Sequence, residues 1–254
     1  RRNAWQPQLA LPYYLWGLAW WIGNGVTEIA RYVLQDTRPD AVLAFAVVSG
    51  WIAAEFHRRM PARALAWTSA LALASGFILA IVQDTVHGHP FRDFGAVAWL
   101  TYAVAGWRSL VCLRDGAYGE REDIEHVGGS AAGLGHFAWL WSWPLAFGLL
   151  LEQLAHDAHL GDGWRVAAFG LPWLAIAALL QWRERAVAAP FGEVFRRWGA
   201  LVQGSVVAAL ALAGLFALFS AGDSQPLHWI PLLNPLDLAQ LAVLGLVLKW
   251  LGSD

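Results

Sequence analysis

A single cysteine, Cys112, leaves this chain no partner for an internal disulfide and no set of thiolates for a zinc cage. Methionine is as rare: Met60 is the only one, and the chain opens on Arg1, so a piece of a longer or processed protein is expected. No signal peptide with a cleavage site is visible. Charge is scarce too, since Lys, Arg, Asp and Glu make up 14% of the 254 residues, where a soluble domain carries about a quarter. The net charge of −2 speaks against nucleic acid as a partner. Neither a G-x-x-x-x-G-K-[ST] phosphate loop nor a dinucleotide fingerprint in strand–helix context occurs, so a nucleotide-driven motor is not expected and no cofactor is implied.

What the chain has instead is apolar length. Hydrophobic residues make up 58% of it, and tryptophan occurs 17 times. Runs of 18 or more apolar residues recur, which reads as an all-α, polytopic transmembrane helical bundle. Hydropathy places about eight spans, near 11–33, 41–57, 63–83, 95–112, 132–154, 165–182, 200–220 and 236–252. Four of the 17 basic residues, Arg31, Arg38, Arg92 and Arg165, then fall in loops on one side, and the other 13 on the opposite side. The excess of positive charge marks the cytoplasmic face, so both ends are expected there. The external side gathers acids and histidines instead, among them Asp36, Asp40, Asp84, His87, His89, Asp93, Asp223 and Asp237.

The spans repeat. Laying the second half over the first sets Glu152 on Glu28, Phe169 on Phe45 and Arg183 on Arg59. Farther along, LALAGLFALFSAGD (210–223) falls on LALASGFILAIVQD (71–84), and a D-x4-H pattern follows in both, Asp84 with His89 and Asp223 with His228. Two proline turns, HPFRDFG (89–95) and PLLNPLDL (231–238), also coincide. The expected organisation is two parallel four-span repeats, 1–113 and 132–254, joined by a cytoplasmic linker at 114–131. In each turn proline suits the first turn of a new helix and the following aspartate offers charge to its free N–H groups, which makes Pro90 with Asp93 and Pro235 with Asp237 helix starters. The insertion near 186–198 sets Phe191, Val194, Phe195 and Trp198 opposite Glu193, Arg196 and Arg197, the pattern of an interfacial helix on the anionic inner leaflet or of a groove-binding contact.

The NPLDLAQ turn from Asn234 to Gln240, together with the tryptophan-rich span YLWGLAWWIGNGVTEIARY (14–32) that runs through Glu28, resembles a large bacterial family of polytopic inner-membrane proteins catalogued only as a domain of unknown function. The likeness covers the last turn and span well and the first span loosely. It implies a bacterial inner membrane and no established activity, and no catalytic residue is carried over from it.

Among the residues themselves, Asn24, Thr27, Glu28 and Arg31 share one face at the external end of the first span. They form either a substrate-facing cluster, with Arg31 free to hold an anion, or a helix end at the headgroups with Glu28 and Arg31 paired. DTVHGH (84–89) places Asp84, His87 and His89 in one short stretch, as solvated loop residues, acid–base groups or weak candidates for an open metal site. Glu55 is expected to pair with Arg58 and Arg59 as a snorkelling salt bridge. Candidate catalytic groups are therefore Glu28, Asp84, His89 and Asp93, and candidate substrate contacts are Asn24, Arg31, Trp20 and Trp143. Three functions fit: a structural or assembly component serving the envelope, an extracytoplasmic transferase on a lipid-linked or envelope glycan, or a transporter with a cavity near Trp20, Asn24 and Trp143. Membrane lipid is the implied partner, alongside other envelope or membrane proteins.

Overall fold

The computed structural model describes residues 6–117, 128–219, 222–226, 228 and 234–252, so Arg1, Arg2 and most of the expected linker lie outside the described residues. Every regular element among them is helical: α1 (Gln6–Tyr32), α2 (Arg38–Arg59), α3 (Arg63–His87), α4 (Gly95–Ala117), α5 (Gly128–Asp157), α6 (Asp162–Trp182), the single turn α7 (Glu184–Val187), α8 (Arg196–Ala217) and α9 (Pro235–Leu251). The eight long helices among the described residues overlap the eight apolar stretches picked out by hydropathy. Six of them, α2 to α6 and α8, are long and apolar enough to cross a membrane. The other two fall outside that standard. The outer part of α1 carries Asn24, Thr27, Glu28 and Arg31, and α9 has 17 residues, a length of about 26 Å against a bilayer core of about 30 Å.

Two compact units divide the chain, one running to His87 and including Phe91–Ala138, the other made of Gly88–Pro90 and Trp139 onward. In the first unit α2 packs against both α3 and α4. Its inward stripe reads Leu43, Val47, Gly50, Ala54 and His57, all buried and spaced as one helix face requires. Lipid offers no hydrophobic drive for helices to associate, so close approach through small residues has to supply the contact energy. Gly50 and Gly76 do this here. A Cβ on Gly50 would stand 2.4 Å from Ala72 Cβ, and one on Gly76 would stand 2.5 Å from the Tyr102 ring. Tyr102 lies across Gly76 and donates from its hydroxyl to Leu73 O at 2.7 Å. By contrast α1 has no buried residue between Leu9 and Tyr32. It is held to α2 and α3 by Trp21 stacked on Phe45, by Trp21 Nε1 donating to Ser49 at 2.9 Å, and by Tyr14 bonded to Thr68 at 2.7 Å.

In the second unit α6 packs against both α8 and α9. Val202, Val206 and Leu210 make the buried stripe of α8. Gln181 donates to Leu246 O at 2.8 Å, and the Lys249 ammonium sits 4.2 Å from the centre of the Trp182 ring.

The two proline turns start their helices differently. Before α9, Asn234 is the N-cap: its Oδ1 accepts from Asp237 N at 2.8 Å and its Nδ2 donates to the Asp237 carboxylate at 2.6 Å, with Pro235 in the first turn as expected. Before α4, Pro90 and Asp93 stay outside the helix, which begins at Gly95. Asp93 takes φ +51°, a left-handed conformation that aspartate tolerates better than most residues, and Gly95 N closes the turn on Arg92 O at 2.7 Å. The expected helix near 186–198 is also interrupted. Pro190 and Gly192 (φ +56°) separate α7 from a 3-10 turn at Gly192–Phe195. Phe191, Phe195 and Trp198 are buried together there, with ring centroids 5.2 and 6.2 Å from Trp198.

Gly76→Ala is expected to destabilise the chain by about 1–3 kcal/mol through overpacking against Tyr102. Gly23→Ala, where a Cβ meets nothing within 4 Å, should be neutral or slightly stabilising. Unfolding of the purified protein in detergent would separate the two, and equal effects would refute the close approach of α3 and α4.

Candidate functional site

The most polar buried feature joins three helices of the first unit at the end where α2 begins and α3 finishes. Asp40 sits in the first turn of α2, where the free N–H groups favour a carboxylate. Gln83 projects from the buried face of α3, seven residues beyond Gly76, and Trp99 from the first turns of α4. Trp99 Nε1 can only donate, and it does so to Gln83 Oε1 at 2.9 Å. That contact turns the amide nitrogen of Gln83 toward Asp40 Oδ1, at 2.7 Å. His87 lies one turn farther along α3. Its Nε2 meets the carbonyl oxygen of Asp36, which can only accept, so Nε2 carries the hydrogen and Nδ1 faces Asp40 Oδ1 at 3.9 Å. Arg92 Nη1 caps the end of α3 by donating to His87 O at 3.2 Å.

Asp40 is 2% exposed, Gln83 0% and Trp99 1%. Burial closes the group to any sizeable substrate, so its first effect is to tie α2, α3 and α4 together.

The residues singled out from sequence are distributed differently. Trp20, Asn24, Glu28 and Arg31 all stand exposed along α1, and among the described residues Glu28 and Arg31 form no ion pair. Thr27 turns its hydroxyl back to Gly23 O at 2.7 Å. Asp84 is half-buried at the end of α3, and Asp93 is exposed in the left-handed turn. His89 is half-buried and belongs to the second unit, as does Trp143, which packs edge-on to Trp139 at 5.8 Å and stacks on Phe147 at 5.9 Å. Of these, His87 alone enters the buried group. Among the described residues no three His, Cys, Asp or Glu side chains gather as a metal site.

Asp40, Gln83 and Trp99 went unremarked as a set because they are far apart in sequence. The one available signal was Gln83, a lone amide on the apolar stripe of α3. At the other end of the same unit Glu55 takes Arg108 Nε at 2.7 Å as well as the expected Arg58, at 3.0 Å. Trp51 Nε1 completes the contact at 3.3 Å.

A family model described as "Predicted membrane protein (DUF2339)" matches residues 8–253, nearly the whole chain, and the chain belongs to that family. No curated protein and no solved structure matches it. With six helices able to cross a bilayer, it is membrane-embedded.

Gln83→Leu would strand both Trp99 Nε1 and Asp40 Oδ1, at about 1–3 kcal/mol for each buried group left unsatisfied. Adding Trp99→Phe removes one stranded donor, so the double variant should lose less than the sum of the singles. Additive losses in detergent unfolding would count against the chain of hydrogen bonds.

Proposed function

We propose that this member of the DUF2339 family is a non-catalytic structural or assembly component of the bacterial inner membrane, serving the cell envelope, with α1 as its docking helix. One observation carries the reading. Between Leu9 and Tyr32 the helix α1 has no fully buried residue, yet it carries Asn24, Thr27, Glu28 and Arg31, all exposed, on one face. Asn24 lies eight residues, about 12 Å, inside the end of the helix. A polar side chain at that depth is costly against hydrocarbon and usually meets protein. A partner helix covering this face satisfies them, and the exposed Trp16 and Trp20 beside it add apolar contact area.

The finer architecture belongs to the same proposal: eight spans, two parallel four-span repeats and both ends in the cytoplasm. Similar packing inside each unit supports the repeat. The second long helix of each, α2 or α6, is the one that touches both the third and the fourth. The start of the second also meets the end of the third helix in the first unit and the segment beyond the third helix in the second unit. Gln83 and His87 reach Asp40 and Asp36 in the first unit, while Asp223 O accepts from Gly163 N at 3.0 Å and Ser224 O from Trp164 Nε1 at 3.2 Å in the second. Within each unit basic residues gather at one end, Arg58, Arg59, Arg63 and Arg108 in the first and Arg183, Arg196, Arg197 and Lys249 in the second.

Transferase chemistry would require Glu28, Arg31 and Asp84 to converge, and the exposure of the α1 residues gives that reading no support. A transporter built on broken helices draws no support either. α1 runs unbroken through Gly23 and Gly25, α5 through Pro144 and α6 through Pro172.

In a deletion strain, the full-length gene carrying Glu28→Gln or Asp84→Asn is expected to restore the wild-type phenotype. Gly25→Leu, whose side chain would displace Phe45 and tilt α1, is not. Loss of function in Asp84→Asn at normal membrane abundance would overturn the assembly reading in favour of catalysis.

A further inference from the structure

One stripe on the outer face of α2 combines hydrocarbon and cation in a way neither the packing nor the proposed docking helix uses. Val48, Trp51, Ile52, Glu55, Phe56 and Arg59 line a groove of about 310 Å³. They recur at the spacing of a single helix face. From Val48 to Arg59 the rise is about 16 Å, close to half the roughly 30 Å of a bilayer's hydrocarbon core, which is the depth of one leaflet. The stripe therefore runs from mid-membrane, where it is apolar, to a membrane surface, where it ends in guanidinium.

Among the described residues, charge at that surface end is unbalanced. The Glu55 carboxylate is already engaged by Arg108 at 2.7 Å and Arg58 at 3.0 Å. Arg59, at the groove's end, and Arg63, four residues on, pair with no carboxylate among the described residues. Among the described residues four guanidinium groups, Arg58, Arg59, Arg63 and Arg108, thus stand against the one carboxylate of Glu55, an excess of three positive charges in that set. Arg114 and Asp115 cancel each other at 2.8 Å.

We propose that this groove binds an anionic phospholipid, with one acyl chain along Val48, Ile52 and Phe56 and the phosphate on Arg59. α2 is among the helices apolar and long enough to cross the membrane, so the groove opens on acyl chains. Guanidinium holds phosphate through paired N–H donors. A zwitterionic headgroup would bring its own cation against this excess, so the site selects net negative charge. The Trp51 ring, its N–H fixed on Glu55 at 3.3 Å, walls the groove at acyl-chain depth, about 12 Å along the helix from Arg59.

The test is native mass spectrometry of the full chain released from mixed phosphatidylglycerol and phosphatidylcholine of equal chain length. The wild type is expected to retain phosphatidylglycerol preferentially, Arg59→Gln to retain about fivefold less of it, and Arg59→Lys to fall between. Phe56→Ala, at a half-exposed position, should lower retention of both lipids. Arg92→Gln, at the opposite end of the unit, should change neither. Excess inorganic phosphate should fail to displace the lipid. Equal retention of the two lipids by the wild type, undiminished phosphatidylglycerol on Arg59→Gln, or displacement by inorganic phosphate would each overturn the proposal.

Discussion

Hydrocarbon cannot hydrogen-bond, and that one property of the surroundings accounts for most of this structure. It forces the backbone into helices, whose N–H and C=O groups are satisfied within the element. It also removes the usual incentive for helices to pack, since a leucine is as well solvated by an acyl chain as by another leucine. Cohesion then depends on how closely backbones approach and on which polar side chains find each other. In the first unit Gly50 and Gly76 provide the approach, and Tyr102, Gln83, Trp99 and Asp40 provide the bonds. Each donor in that set is matched to an acceptor on a different helix or a neighbouring turn. The polar group therefore sets the register in which α2, α3 and α4 meet as well as adding to their stability.

The second unit meets the same constraint with different chemistry. Where the first has a buried carboxylate at the start of its second helix, the second has Trp164, whose indole donates to a backbone carbonyl. Its charge is carried nearer the edge, where Arg165 Nε reaches Glu152 at 2.8 Å and both groups are partly exposed. Backbone carbonyls of Asp223 and Gln225 accept from Gly163 and Gly161 at 3.0 Å, a contact that a side chain at either glycine would obstruct. At the start of its second long helix the first unit thus relies on a side-chain network, and the second mainly on backbone carbonyls as acceptors.

How far the sequence anticipated this depends on the range of the interaction concerned. Helix positions were legible because hydropathy is summed over some twenty residues and survives local exceptions; the ends of α2, α3 and α6 fall within a few residues of the expected spans. The helix start at Pro235 and Asp237 was legible because it is local, although the cap itself is Asn234, three residues before Asp237. The left-handed turn at Asp93 was not, since the same proline and aspartate suit both a helix start and the turn before one. The segment near 186–198 has helical spacing of aromatics, but Pro190 and Gly192 break the backbone, and the rings meet across a turn instead of along a helix. The buried group was least legible. Gln83 and Asp40 are 43 residues apart, and no local pattern marks which of the acids turns inward.

The contact between Gly25 and Phe45 sets a limit on how this chain can change. The ring of Phe45 occupies the space a Cβ on residue 25 would need, with its nearest atom 2.2 Å from that position. Size at one site is therefore bounded by size at the other. In related chains, an alanine or serine at the first position implies a smaller side chain at the second, and the two should be inherited as a pair.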